Sequence, residues 1–128
     1  MKQLELIILY HGGDAANILE IRSYGLSYGR RFYCTRQKSL AQEAAYGYGV
    51  DGALLEILIP HKLFDYCKQA GVLEERYYLG VIQLFEGSSE VIISSKQGLD
   101  IINDCQQAHR RDDWNVLKRK YEEILMIP

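Results

Sequence analysis

The chain has 128 residues, 48% apolar and 25% charged, the make-up expected of one self-standing globular domain over residues 1–128. A net charge of −2 and a pI of about 5.9 argue against the basic footprint of a non-specific nucleic-acid binder. Three widely spaced cysteines, Cys34, Cys67 and Cys105, form neither a disulfide framework nor a metal-binding pair, and no apolar run approaches the ~18 residues that span a membrane; a cytoplasmic protein with no membrane partner and no metal is expected.

Residues 4–10 read as a short buried strand that runs into His11-Gly12-Gly13, with the glycines as its abrupt end. A strand that stops at a histidine beside bare backbone makes one wall of a ligand site, because glycine lets a ligand approach the main-chain N–H and C=O. Asp14 is placed to cap a helix over about 15–24, with Ile18, Leu19 and Ile21 as its buried face and Gly25 as its stop. A Gly-containing loop with Tyr28, Arg30 and Arg31 leads to a strand at 31–35, Phe32 and Cys34 on one side and Tyr33 on the other. Thr35 or Ser39 is expected to cap the next helix, through Leu40, Ala41, Ala44 and Ala45, which ends in the loop Tyr46-Gly47-Tyr48-Gly49.

The run at 53–59 is the clearest strand and is closed by Pro60; residues 61–69 follow as a helix that stops at Gly71. A strand is expected at 76–85, a turn at 86–89, a strand at 90–94 and a helix from 97 to 107. The C-terminal segment 112–126, capped by Asp112 or Asp113, places Trp114, Leu117, Tyr121, Ile124 and Leu125 at three- and four-residue spacing, which predicts an amphipathic helix. The fold class is therefore α+β: about five strands in mostly antiparallel sheets, helices between them and one at the end. Ten tyrosines, each with a stacking face and a hydroxyl, suit a site for planar ligands.

Three elements stand in a fixed order: a strand ending Tyr10-His11-Gly12; a Gly- and Arg-preceded strand Phe32-Tyr33 with a small-residue helix behind it; and a late strand, Ser89-Glu90-Val91-Ile92-Ile93. This order resembles the ADP-ribosyltransferase superfamily in its His–Tyr–Glu branch, which includes the diphtheria-toxin-like enzymes and the poly(ADP-ribose) polymerases. It is similar also to small bacterial members of that fold, and the resemblance covers roughly residues 5–103. It implies the family's split pair of antiparallel sheets and a mono-ADP-ribosyltransferase that breaks the nicotinamide–ribose bond of NAD and passes ADP-ribose to a macromolecular acceptor. A toxin or phage-conflict role with a neutralising antitoxin or assembly partner would go with it.

The resemblance assigns roles that the residue chemistry can carry. Glu90 would hold the nicotinamide-ribose hydroxyl and oppose the positive charge that develops on that sugar. His11 would hydrogen-bond the adenosine ribose, Gly12 would offer its N–H and C=O to the carboxamide, and Tyr33 would stack on nicotinamide. Tyr46 or Tyr48 would supply the opposite face of that stack. Arg30 and Arg31 can fork onto the pyrophosphate oxygens. Glu86 is the rival of Glu90, and Ser88 stands where arginine-modifying members carry an acidic residue or Gln, which disfavours an arginine acceptor. The non-enzymatic alternative is a catalytically silent NAD-binding or partner-binding domain of the same fold. A Rossmann oxidoreductase is a poor reading, for want of a Gly-x-Gly-x-x-Gly turn and a parallel βαβ repeat.

Overall fold

A computed structural model describes residues 4–77 and 89–126. Most of the strand expected at 76–85 and the turn at 86–89 apart from Ser89 fall outside the described residues, and Glu86 and Ser88 with them. The elements are β1 (Leu6–Asp14), α1 (Ala15–Tyr24), β2 (Phe32–Cys34), α2 (Lys38–Tyr46), a 3₁₀ turn (Gly49–Asp51), β3 (Gly52–Pro60), α3 (His61–Gln69), β4 (Glu74–Tyr77), β5 (Ser89–Ile93), α4 (Lys96–Arg111), α5 (Asn115–Lys120) and α6 (Glu122–Leu125). The architecture is α+β, and every strand pairing among the described residues is antiparallel.

The strands form two sheets. One is the hairpin-like pair β1–β3, in register from Leu6 opposite Pro60 to Asp14 opposite Gly52. The other has the order β2-β5-β4, with β5 in the centre. Alternation along β1 and β3 turns Leu9, Leu55, Ile57 and Ile59 to one face. There they join Ile18 and Ile21 of α1, Leu63 and Phe64 of α3, Val91 and Ile93 of β5, and Leu99 and Ile102 of α4 in one buried cluster.

The expectation that β1 ends at His11 is wrong. The strand continues through Gly12 and Gly13, which pair with Leu54 and Ala53. The glycines are needed for packing rather than for a turn. A Cβ on Gly12 would stand 1.9 Å from the Ala41 carbonyl oxygen, and one on Gly52 1.9 Å from that of Ala45. The backbone of α2 thus lies directly on the far face of the β1–β3 pair, and only bare backbone admits it there.

Other boundaries shift for local reasons. Asp14 caps α1 as expected, accepting from the Ala16 N–H at 2.9 Å, but Leu19 is exposed, since the helix buries only Ile18 and Ile21. Neither Thr35 nor Ser39 caps α2. The N-cap is Gln37, without a side-chain cap bond, because the Thr35 hydroxyl is engaged elsewhere. β4 begins at Glu74, two residues before the expected start, and α4 runs past 107 to Arg111. The single C-terminal helix is two short ones. Asp112 adopts a left-handed conformation (φ 50°) and ends α4 instead of starting the next helix. The chain breaks again at Tyr121, whose phenol is held 2.6 Å from an Asp104 carboxylate oxygen. The apolar spacing nevertheless does its work: Leu117 and Leu125 are buried, and Trp114, Tyr121 and Ile124 pack against the core.

Candidate functional site

Among the described residues one bridge joins the two sheets. Tyr10 of β1 and Thr35, just after β2, exchange both main-chain hydrogen bonds, at 2.7 and 2.9 Å. Before this bridge β2 belongs to the three-stranded sheet, with Phe32, Tyr33 and Cys34 opposite Ile93, Ile92 and Val91. The chain therefore changes sheets at Thr35, and the sheets fork from there.

The fork determines what Gly12 can offer. In a strand, the N–H and C=O of one residue point to the same side, and alternate residues point to opposite sides. Tyr10 directs both groups at β2, so Gly12, two residues on, directs its own groups to the same side. Extending the register of the bridge by two residues brings Gly12 opposite Tyr33, but no backbone hydrogen bond joins them among the described residues. The main chain of Gly12 thus faces a gap between diverging strands.

His11 spans that gap. Its Nδ1 lies 2.6 Å from the Tyr33 carbonyl oxygen. A carbonyl only accepts, so Nδ1 carries the hydrogen and donates it, and Nε2 is the ring atom left for a further contact. The imidazole also packs on Phe32, with ring centroids 4.6 Å apart. Gly13 makes room beneath it, since a Cβ there would sit 3.1 Å from Nε2.

Tyr33 and Glu90 share one face of the three-stranded sheet. Tyr33 is opposite Ile92, and Glu90 is two residues before Ile92 on β5, so the pleat turns both side chains the same way as diagonal neighbours. The Tyr33 ring is 42% exposed, whereas Phe32 and Cys34 on either side of it are buried. Glu90 faces Arg76 across the β4–β5 register, and Glu74 lies beside them. Arg76 is bound to Glu74 at 2.9 Å. That hydrogen bond above all, with help from the charges of Arg76 and Arg31, holds the Glu74 carboxyl below its usual range against the opposing effect of burial. Glu90 itself makes no hydrogen bond or ion pair among the described residues. His11 and Gly12 thus stand beside the Tyr33 main chain at the fork, and Tyr33 shares a face with Glu90, with Arg31 near Glu74 on that face; the His11 ring itself packs on Phe32, on the other side of β2. Arg30 is exposed in the preceding turn, and the rings of Tyr46 and Tyr48, at the end of α2 and just beyond it, are turned to solvent.

The opposite face of the same sheet holds a carboxylate that sequence reasoning missed. The side chain of Glu75 is fully enclosed. Lys68 Nζ and Tyr77 Oη each donate to its Oε1 at 2.9 Å, and Ser89 Oγ donates to Oε2 at 2.8 Å. Arg36 approaches to 3.9 Å. Burial pushes the Glu75 pKa up, but the three hydrogen bonds and the Lys68 charge outweigh it and hold the group below its usual range. No local motif announces this cluster, since its members come from α3, β4 and β5.

The cysteines supply no nucleophile. All three are buried thiols. Burial foremost, then the charges of Glu90 and Glu75, pushes Cys34 far up, and burial raises Cys67 to about 11. No group of three or more metal-ligating side chains occurs among the described residues, and no helix among them is long and apolar enough to cross a membrane. Comparison with protein-family models, curated proteins and solved structures gives no match.

Proposed function

We propose that the chain is an NAD-dependent mono-ADP-ribosyltransferase of the ADP-ribosyltransferase fold. The observation that carries the reading is the pairing of Tyr33 and Glu90 on one face beside the fork, where His11 binds the Tyr33 main chain and Gly12 lies opposite it, with the Glu90 carboxylate bound by no other described group. The residues fit a dinucleotide. Gly12 presents a donor and an acceptor side by side, as a carboxamide requires. Tyr33 offers a half-exposed ring for a pyridine. His11 keeps Nε2 for a ribose hydroxyl while Nδ1–H fixes the ring. Arg31, and Arg30 in the turn before it, supply guanidinium groups for the pyrophosphate.

NAD, when bound, supplies a glycosidic bond to a leaving group that departs as a neutral base. The bond broken joins the nicotinamide nitrogen to the ribose; nicotinamide leaves with the bonding pair, and a nucleophile of the acceptor takes the same carbon and releases a proton. Positive charge grows on the sugar as the bond lengthens, and a fixed carboxylate stabilises that charge more in the transition state than in the ground state. Glu90 fills this role because it is fixed on the central strand and bound by no other described group. Gly12 and Tyr33 hold the leaving group, and His11 orients the other ribose.

Following nicotinamide release from NAD, with and without a lysate as acceptor source, tests the reading. Turnover supports it. NAD binding without release of nicotinamide to any acceptor or to water would favour the silent binding domain, and absence of binding would remove both.

A further inference from the structure

Ser89 immediately precedes Glu90 and is 1% exposed. In a continuous β2–β5 ladder its main-chain groups would find partners on the main chain of β2. They do not: the β2–β5 register carried past Cys34–Val91 puts Ser89 opposite Arg36, yet no main-chain hydrogen bond joins those two residues. Two side chains take over. The Thr35 hydroxyl donates to the Ser89 carbonyl at 2.7 Å, and the Ser89 N–H donates to Gln37 Oε1 at 3.1 Å. Thr35 Oγ1 also accepts from the Gln37 N–H at 3.1 Å, which fixes both side chains in one turn. The third polar group of Ser89, its Oγ, donates to the enclosed Glu75. Every hydrogen-bonding group of Ser89 is therefore held, by two residues of the turn after β2 and by Glu75 of β4.

We infer that Thr35 and Gln37 are positioning residues. Their side chains substitute for the main chain of β2, so that the sheets can part while the strand carrying Glu90 stays fixed at the edge of the gap. The inference rests on Glu90 being the transition-state carboxylate proposed above. Gln37 is the more telling member, because it is only partly buried and does nothing else for the core. Its oxygen is required and its NH₂ is not, which defines the test.

Gln37→Met keeps the length and removes the acceptor; Gln37→Glu keeps the acceptor. Nicotinamide release is measured for both, together with KM for NAD, thermal midpoint, and hydrogen exchange at the Ser89 and Glu90 amides. The expected result is a fall in kcat on the order of 10- to 100-fold in Gln37→Met with KM within about twofold, since displacing a catalytic group by an ångström costs this much. Exchange at Ser89 should accelerate in the same variant, and Gln37→Glu should restore both. Wild-type kcat in Gln37→Met, or a loss of kcat that Gln37→Glu does not rescue, overturns the inference. So does a parallel collapse of kcat, KM and thermal midpoint, which marks a purely structural role. A wild-type protein that binds NAD without turnover overturns the functional reading and the catalytic half of this one; the Ser89 exchange rate then decides whether the clamp exists.

Discussion

Glu75 and Glu90 stand on neighbouring strands of one sheet and point to opposite faces. Glu75 has a lysine, a tyrosine and a serine within 2.9 Å and no contact with solvent. Glu90 has a cross-strand arginine that is itself engaged by Glu74, and no hydrogen bond of its own among the described residues. The first carboxylate is consumed by structure: its charge is balanced where it lies, so none is left for a substrate. The second holds its charge in reserve beside an exposed aromatic ring. A residue's chemistry is available to a ligand to the extent that the fold has not already used it, and by that measure the two faces differ completely.

Breaking the enclosed face should have the largest effect. Glu75→Ala leaves Lys68 and Ser89 without their acceptor, and removing one member of a buried charge pair typically costs ~3–5 kcal/mol. Lys68 is a third exposed and can turn to water, so the loss should fall near the lower end, read as a shift of the urea midpoint at unchanged slope. The open face should respond in rate instead. Glu90→Gln should lower nicotinamide release by a factor of ~10² to 10³ with NAD affinity kept within a few fold and an unchanged urea midpoint. Glu86→Gln serves as its control. If the two acidic positions exchanged phenotypes, Glu75 costing rate and Glu90 costing stability, the contrast between the faces would be reversed.

Smaller effects sharpen the comparison. Tyr33→Ala should weaken NAD or benzamide binding by ~1–3 kcal/mol in a titration, while its half-exposed ring makes the loss of stability slight. Unchanged affinity would return Tyr33 to the role of a packing residue. The last difference is in pH. The folded-state pKa of Glu75 lies below its unfolded value of 4.5, so its stabilising contribution is complete above that pH and disappears as pH falls through the folded value. The gap in urea midpoint between wild type and Glu75→Gln should therefore be constant near neutrality and close below pH 4.5. A gap that widened on acidification would mean that the group is destabilising where it lies.

The sequence made much of this legible. The alternation in β1 and β3, the Asp14 cap and the order of His11, Tyr33 and Glu90 all depend on neighbours along the chain. Failures came where distant backbone intervened. Gly12 and Gly13 carry the mark of a strand end, but Gly12 serves to admit α2 and Gly13 to make room for the His11 ring, which only the packed structure reveals. The C-terminal apolar spacing was correct, yet the helix breaks at Tyr121, whose phenol binds Asp104, 17 residues earlier. Gln37 and Ser89 lie 52 residues apart, and neither belongs to a motif. The hydroxyl of Thr35 had an obvious local use as a helix cap, and the fold employs it across the sheet instead.

The seclusion of Cys34 has a practical consequence. It sits on the inner side of β2, between Tyr33 and the bridge residue Thr35, and a thiol-directed reagent needs it both exposed and ionised. Native protein should be modified there only in the moments when β2 lifts off β5, so the labelling rate counts those openings and serves as an internal clock for the fork. Cys67 and Cys105, on the buried faces of α3 and α4, keep time for larger unfolding. A molecule that ties both sheets together would slow the first clock and leave the other two running, which offers a screen for ligands that needs no knowledge of the reaction.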